Sequence, residues 1–600
     1  MLRKTNKPMA KKHIKRNRLF YFTWSMIGLF GIAAISQANL QIFGRAAMMR
    51  KARDSKKFVL SHTERAKRGS IFSSDGRPLA VDQDSYELFV NFNTVPKTDA
   101  FFVDLSAASG IPAAEFSQLA FNGAEKRTWK TPLSAEQRKA VAKVKTEWKA
   151  DGISLSSAGK RTYPLGAAAA NVVGMLQDDR IPIVGLEKSQ DAILDGQNGV
   201  TIGLTDRAGA FLPMRISSES RPKSDGKDVE LTIDSELQQE AAAQIRSAVL
   251  SNNADSGVAI IYDPSNGDLL ALANYPTFDP TGGQAGVQTD ARKSTKNAAV
   301  QDRWEPGSMF KVITLAKALD SGKVHVNDVI NCTGELHYNS HYVVHCDLHH
   351  GNRAHGPVNA IKAISKSCNV SASTWALKIG YPDMVKYIED LGLLKPSQLG
   401  LPYEAAGGFN YNEFAKPLQL MHLGFGQSIT TTPIGIASAL SMLANHGEQM
   451  KPRLIKRIGD KNIPPVSMGQ RIKASTADEV LNIMESVIED DGGTGASLRI
   501  PGYVMGGKTG TAEKQGSRGK KEYVANFVGF VPAPNVKAMI VVMIDNPKNQ
   551  FYGALVAGPV FKALAKSVIH RYHLPPNEGV ARANVPRTSG SNKNDYKIVD

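Results

Sequence analysis

Glu305-Pro306-Gly307-Ser308-Met309-Phe310-Lys311 decides how this chain is read. Pro306 and Gly307 are both breakers, so the string predicts a helix beginning at or just after Ser308. Ser308 then sits at a helix N-terminus, where unpaired backbone N–H groups favour negative charge. Lys311 follows three residues later on the same helical face. A serine hydroxyl is a poor nucleophile until a base takes its proton, and an uncharged Lys311 is such a base. The lysine must first lose its own proton, which burial and a second nearby cation both promote. Taken alone, Ser-x-x-Lys is an ordinary helix surface.

Two further strings remove that ordinary explanation. Ser367-Cys368-Asn369 lies 59 residues after Ser308, and Lys508-Thr509-Gly510-Thr511 begins 200 residues after it. In a short turn, Ser367 and Asn369 face one cleft, where Ser367 can relay a proton and Asn369 can hold a substrate amide and contact Lys311. A polar helix cap is the bland alternative for these two residues. Lys508 supplies the second cation. With Thr509 and Thr511 it offers a charge and hydroxyls to a carboxylate, and Gly510 lets a substrate backbone approach a strand closely. Backbone N–H groups of Ser308 and Thr511 are the expected oxyanion donors. A phosphate loop is the alternative for the glycine-lysine string. Gly502 stands five residues before Gly507, but a strand rather than a loop-to-helix entry surrounds it.

Outward from these strings, the front of the chain carries the charge. Arg3, Lys4, Lys7, Lys11, Lys12, Lys15, Arg16 and Arg18 account for eight of the net +17, and no acid occurs before Asp54. The remaining +9 is spread over everything else, and no zinc-finger, RNP or P-loop entry supports a nucleic-acid partner. No charge occurs from Leu19 to Phe43. A helix over that span reaches about 37 Å, enough for a hydrocarbon core of about 30 Å. The basic flank belongs in the cytoplasm, which exports everything after Arg45 from the inner membrane. Ser36-Gln37-Ala38 offers a signal-peptide cleavage site as the alternative. An uncleaved anchor is preferred because Leu40, Ile42 and Phe43 prolong the apolar character.

Six hundred residues require more than one core. The expected class is α+β. Residues 1–18 are a basic head, 19–43 a transmembrane helix and 44–225 an elongated α+β pedestal with no evident catalytic residues. Residues 226–575 form the catalytic domain, and 576–600 a mobile polar tail. Met48 to Arg68 has helical character, and Arg68 to Ala80 reads as strand, Asp75-Gly76 turn, strand. Residues 104–150 carry helical periodicity in two or three pieces. A helix from Ser235 to Leu250 precedes a hairpin about Asn266-Gly267. Tyr523 to Val531 and Lys537 to Ile544 are late strands. With the Lys508 strand they build an antiparallel sheet covered by helices.

Taken together, the three strings resemble those of the class B penicillin-binding proteins, the monofunctional peptidoglycan D,D-transpeptidases. The resemblance also rests on Arg68-Gly69, Arg161 to Gly166, Gly185 to Glu187, Phe425-Gly426-Gln427-Ser428 and the residues after Thr511. Tyr523 to Pro532 and Ile544 to Lys548 resemble the division or sporulation branch more than the elongation branch. The resemblance implies a pedestal of the dimerisation type and a transpeptidase domain. It implies that Ser308 attacks the D-Ala–D-Ala bond of a stem peptide, that D-Ala leaves, and that an amine of a second stem takes the acyl group. β-Lactam antibiotics would acylate the same serine. It also implies a membrane glycosyltransferase of the shape, elongation, division and sporulation (SEDS) type and division proteins as partners. The rivals are an elongation-type transpeptidase, a D,D-carboxypeptidase or β-lactamase, and a non-catalytic penicillin-binding sensor.

No cofactor is required for this chemistry. The three cysteines, Cys332, Cys346 and Cys368, nevertheless share a histidine-rich segment. Three unrelated thiols, a Cys332–Cys346 disulfide, and a structural Zn²⁺ held by Cys332, Cys346, His350 and Cys368 are all open. The Cys-x-Gly, Cys, His-Gly, Ser-Cys-Asn pattern resembles one in class B relatives for which a metal or a redox disulfide has been suggested.

Overall fold

The protein is seen in a computed structural model that describes residues 12–42, 59–83, 85–157, 160–177, 180–205, 211–216, 220–282, 294–340, 342–346, 354–409, 416–515 and 521–577. The N-terminal helix spans Lys12–Ile42. Its segment Leu19–Asn39 is apolar, long enough to cross a membrane, and buries none of its surface against protein. Phe20, Trp24, Leu29 and Phe30 are each at least 60% exposed. At about 25 cal/mol per Å² of apolar surface, water is the wrong solvent for this helix and hydrocarbon the right one. By length and composition this one helix can cross a membrane.

The described chain falls into two compact units. One comprises Met1–Ala66 and Gln197–Asp225; the other Lys67–Gly196 and Gly226–Asp600. The first contains an antiparallel sheet in the order Val59–Glu64, Gly199–Thr205, Phe211–Ile216. The expected helical character from Met48 to Arg68 is therefore not met at Val59–Glu64, where pairing with the 199–205 strand overrides local preference. The first residues of that span lie outside the described residues, as do His350 and nearly all of the expected tail.

In the second unit, Arg68 to Ala80 folds as read. Ile71–Phe72 pairs with Pro78–Gln83 across a turn at Gly76. Residues 104–150 supply parts of three helices, Asp99–Ser109, Ala113–Phe121 and Ala135–Glu147, and also a strand, Lys126–Leu133. The strings Arg68-Gly69, Arg161 to Gly166 and Gly185 to Glu187 converge on a buried ion cluster. Glu187 accepts from Arg68 Nε at 2.7 Å and from Arg161 Nε at 2.8 Å, and the Arg68 and Glu187 side chains are fully buried. Arg161 and Arg180 both pair with Asp82. Val229–Leu231 runs parallel to Ile71–Phe72 and antiparallel to Ile455–Ile458, so one six-stranded sheet is shared by early and late sequence.

The catalytic half is built on five antiparallel strands. These are β1 (Ser256–Tyr262), β2 (Leu269–Tyr275), β3 (Gly506–Gln515), β4 (Lys521–Val531) and β5 (Ala538–Asp545), in the spatial order β2-β1-β5-β4-β3. Both faces are buried, and the two-residue period of a strand sorts them. Ala525, Phe527 and Val531 of β4 join a core with helices α1 (Ser235–Ser251) and α5 (Gly558–Arg571). Val524, Val528 and Phe530 face a second core. That core holds α2 (Phe310–Asp320), α3 (Asn369–Ile379) and α4 (Ala474–Glu489). Ala512 of β3 belongs to it too, so the same parity points Lys508 and Gly510 toward α2 and α3.

Candidate active site

Ser308 lies in a 3₁₀ turn, Gly307–Met309, that feeds directly into α2. The breakers thus set the helix start as expected. The turn is held by backbone rather than by side chains. Gly307 N–H donates to Gly426 O at 3.1 Å. Gly426 has φ +82°, and a Cβ there would stand 2.2 Å from Gly307 O, so only glycine fits. Half-buried Glu305, whose carboxyl pKa desolvation pushes up, accepts from Ser428 N–H at 3.0 Å. A Cβ on Gly307 would meet Ala512 Cβ at 3.2 Å, so the serine turn abuts β3 one residue beyond Thr511.

The three strings meet at one hydroxyl. Ser367 Oγ lies 3.0 Å from Lys311 Nζ and 3.0 Å from Lys508 Nζ. Lys311 also donates to Ser367 O at 2.5 Å, and Lys508 to Thr509 O at 2.8 Å. Lys311 is 1% exposed and Lys508 0%. Burial, reinforced by the charge of Lys311, pushes the Lys508 pKa well below the usual ammonium range. Ser367 itself holds φ +57°, an uncommon conformation for serine that aims its hydroxyl between the two lysine amines.

Asn369 opens α3 and donates Nδ2–H to His345 O at 3.0 Å, which ties the catalytic turn to the cysteine segment. Lys508 to Thr511 lie on β3, a strand interior and not a phosphate loop. Thr509 Oγ1 donates to Thr494 Oγ1 at 3.1 Å, and Gly553 N–H donates to Thr511 Oγ1 at 3.3 Å. Gly510 pairs with Asn526 of β4, and a Cβ at 510 would fall 1.8 Å from Asn526 Oδ1. Sequence reasoning missed Thr494. The flanking glycines of Gly492-Gly493-Thr494-Gly495 were its available signal.

Cys332, Cys346 and Cys368 are all buried free thiols, so the expected Cys332–Cys346 disulfide alternative is not formed. Among the described residues the imidazole beside them is that of His355; His350, read as a ligand, lies outside the described residues. His355 Nδ1 is 3.6 Å from Cys332 Sγ and 3.2 Å from Cys346 Sγ. His355 escaped the reading because six histidines crowd residues 337–355 and spacing does not rank them. Only the pairing of Ile330–Cys332 with Gly356–Val358 returns His355 to Cys332.

With the geometry established, comparison with known proteins is informative. The profile of the penicillin-binding protein transpeptidase domain matches residues 257–566. The chain belongs to this family. The profile of the penicillin-binding protein dimerisation domain matches residues 63–231. This penicillin-binding protein is 29% identical over 552 residues to a probable peptidoglycan D,D-transpeptidase PenA of Neisseria meningitidis, covering 90% of each chain. It is 28% identical to the peptidoglycan D,D-transpeptidase FtsI of Escherichia coli, covering 96% of this chain and 95% of the other. Its fold matches the crystal structure of penicillin-binding protein 2X from Streptococcus thermophilus. The TM-score is 0.75 at 20% identity, over 86% of this chain and 80% of that one. These relatives place it among the class B penicillin-binding proteins.

Proposed function

We infer that this protein is a membrane-anchored peptidoglycan D,D-transpeptidase acting through an acyl-enzyme on Ser308. The observation that carries the reading is the convergence of Lys311, Ser367 and Lys508 within 3.0 Å contacts beside the Ser308 turn. Lys311, in its neutral form, takes the Ser308 proton as Oγ attacks the penultimate D-Ala carbonyl. Negative charge developing on that carbonyl oxygen is met by the backbone N–H groups of Ser308 and Thr511. Removing one such donor typically costs about 100- to 1,000-fold in rate. Ser367, bonded to both lysines, passes a proton to the departing D-Ala amine. Lys508, Thr509 and Thr511 receive the terminal carboxylate. The amine of a second stem peptide then attacks the acyl-enzyme, and the same relay runs in reverse. β-Lactams acylate Ser308 by the first half of this cycle.

The basic residues before Leu19 put the catalytic half on the outer face of the cytoplasmic membrane, where the wall polymer is. A septal role follows from the similarity to a division transpeptidase, and a SEDS-type glycosyltransferase met through the anchor helix is the expected partner. Fluorescent penicillin tests the core of the proposal. The wild type is expected to label covalently and Ser308→Ala not at all; equal labelling of both overturns the nucleophile assignment. Acyl transfer to an added D-amino acid should exceed hydrolysis, and hydrolysis alone would mark a carboxypeptidase. A labelled copy should concentrate at mid-cell; side-wall localisation would favour the elongation role.

A further inference from the structure

Three thiols and an imidazole meet a few ångströms behind the catalytic turn. Cys332, Cys346 and Cys368 are 0%, 4% and 1% exposed, and His355 is half-buried. One donor atom from each lies within 4.8 Å of all the others. Cys346 Sγ is 3.5 Å from Cys368 Sγ, and His355 Nδ1 is 3.6 and 3.2 Å from the sulfurs of Cys332 and Cys346. Zn–S near 2.3 Å and Zn–N near 2.05 Å in a tetrahedron require S···S of about 3.8 Å and S···N of about 3.6 Å. These three spacings lie close to those of a tetrahedral shell and far from that of a disulfide, whose sulfurs stand about 2.05 Å apart.

Cys368 also caps α3 and accepts from Ser371 N–H at 3.4 Å, so the N-terminus of that helix favours negative charge at its sulfur.

We propose that Cys332, Cys346, His355 and Cys368 bind one structural Zn²⁺ that fixes the Ser367-Cys368-Asn369 turn in its catalytic conformation. Cys368 stands between the residue that bonds both lysines and Asn369, which is tied to His345 O, one residue before Cys346. The metal therefore clamps both sides of the turn. It pins Ser367 at φ +57° without touching substrate. These four residues are positioning residues, and the coupling to acylation rests on the role assigned to Ser367 above.

Full-length protein purified in detergent without chelator is expected to carry one zinc per chain by elemental analysis. X-ray absorption should show about three sulfur neighbours near 2.3 Å and one nitrogen. His355→Ala and Cys332→Ser should lose the metal, whereas His350→Ala and Ser308→Ala should keep it. Because Ser308→Ala cannot be acylated, its metal content separates failure of this proposal from failure of the nucleophile assignment. Stripping zinc should slow fluorescent-penicillin acylation of the wild type at least tenfold, and zinc should restore it. Metal-free protein with two oxidised thiols, or metal kept by His355→Ala and lost by His350→Ala, overturns the site. An unchanged acylation rate in stripped protein overturns the coupling. Absorption spectra of the wild type decide the ligand set even if every cysteine variant fails to fold.

Discussion

Gly510→Ala tests how tightly the KTG strand is seated. The new Cβ would fall 1.8 Å from Asn526 Oδ1, whereas such a contact normally rests at about 3.3 Å, so roughly 1.5 Å of room must be found. Asn526 is fully buried on the neighbouring strand, and its amide finds no hydrogen-bond partner among the described residues. It has no free space to retreat into in a close-packed interior. Overpacking of this kind costs about 1–3 kcal/mol. Relief comes by moving β3 outward, which carries Lys508 away from Ser367 Oγ. Their bond is 3.0 Å, so a shift of about 0.7 Å breaks it. Misplacement by about 1 Å costs on the order of 100-fold in rate. The acylation rate should fall by that factor and the urea midpoint should drop. Adding Asn526→Ala removes the obstructing atoms, and the double variant should recover most of both losses. Asn526→Ala alone should stay within about 1 kcal/mol of wild type, because it also removes an unsatisfied buried amide. Wild-type acylation by Gly510→Ala, or additive losses in the double variant, would refute the steric argument.

Other outcomes follow from the same geometry. Ser367→Ala removes the hydroxyl shared by the two buried lysine amines; acylation should fall by about 100- to 10,000-fold, measured by stopped-flow with a chromogenic cephalosporin. Glu187→Gln leaves Arg68 and Arg161 facing a neutral amide in a buried site, and should cost about 3–5 kcal/mol by denaturant titration with little change in acylation by the folded fraction. Lys508→Met reports on the depressed lysine. The unfolded chain binds more protons than the folded one between the lowered pKa and the usual ammonium range near about 10.4, so wild-type stability gains on the variant as pH rises through that window. The difference between the two melting curves should narrow or reverse accordingly, and a pH-independent difference would contradict the burial of a titrating Lys508. Gly426→Ala forces a Cβ against Gly307 O and should slow acylation at least tenfold while leaving the zinc content unchanged.

The parts of the site carried by local pattern were legible in the sequence. Pro306-Gly307 announced the turn at Ser308, Asn266-Gly267 announced the hairpin, and the apolar run of residues 523–531 announced a strand. What escaped required contacts distant in sequence. Val59–Glu64 became strand because residues 199–205 pair with it. His355 became the fourth donor because the 356–358 strand returns it to Cys332. Thr494 and Asn526 gained meaning only from the β3 residues they face. Arg68, Arg161 and Glu187 stand in three separate short strings, and their common place in one buried ion cluster lies in the tertiary fold alone.

The backbone seating of the Ser308 turn bears on how drug tolerance can evolve. Two glycines and a main-chain hydrogen bond locate the nucleophile, so mutation has almost no side-chain handle with which to retune its position by small steps. Selection by β-lactams is thereby driven outward, to residues that shape entry to the cleft or the mobility of β3. Lineages exposed to these drugs should accumulate changes around an unmoved serine.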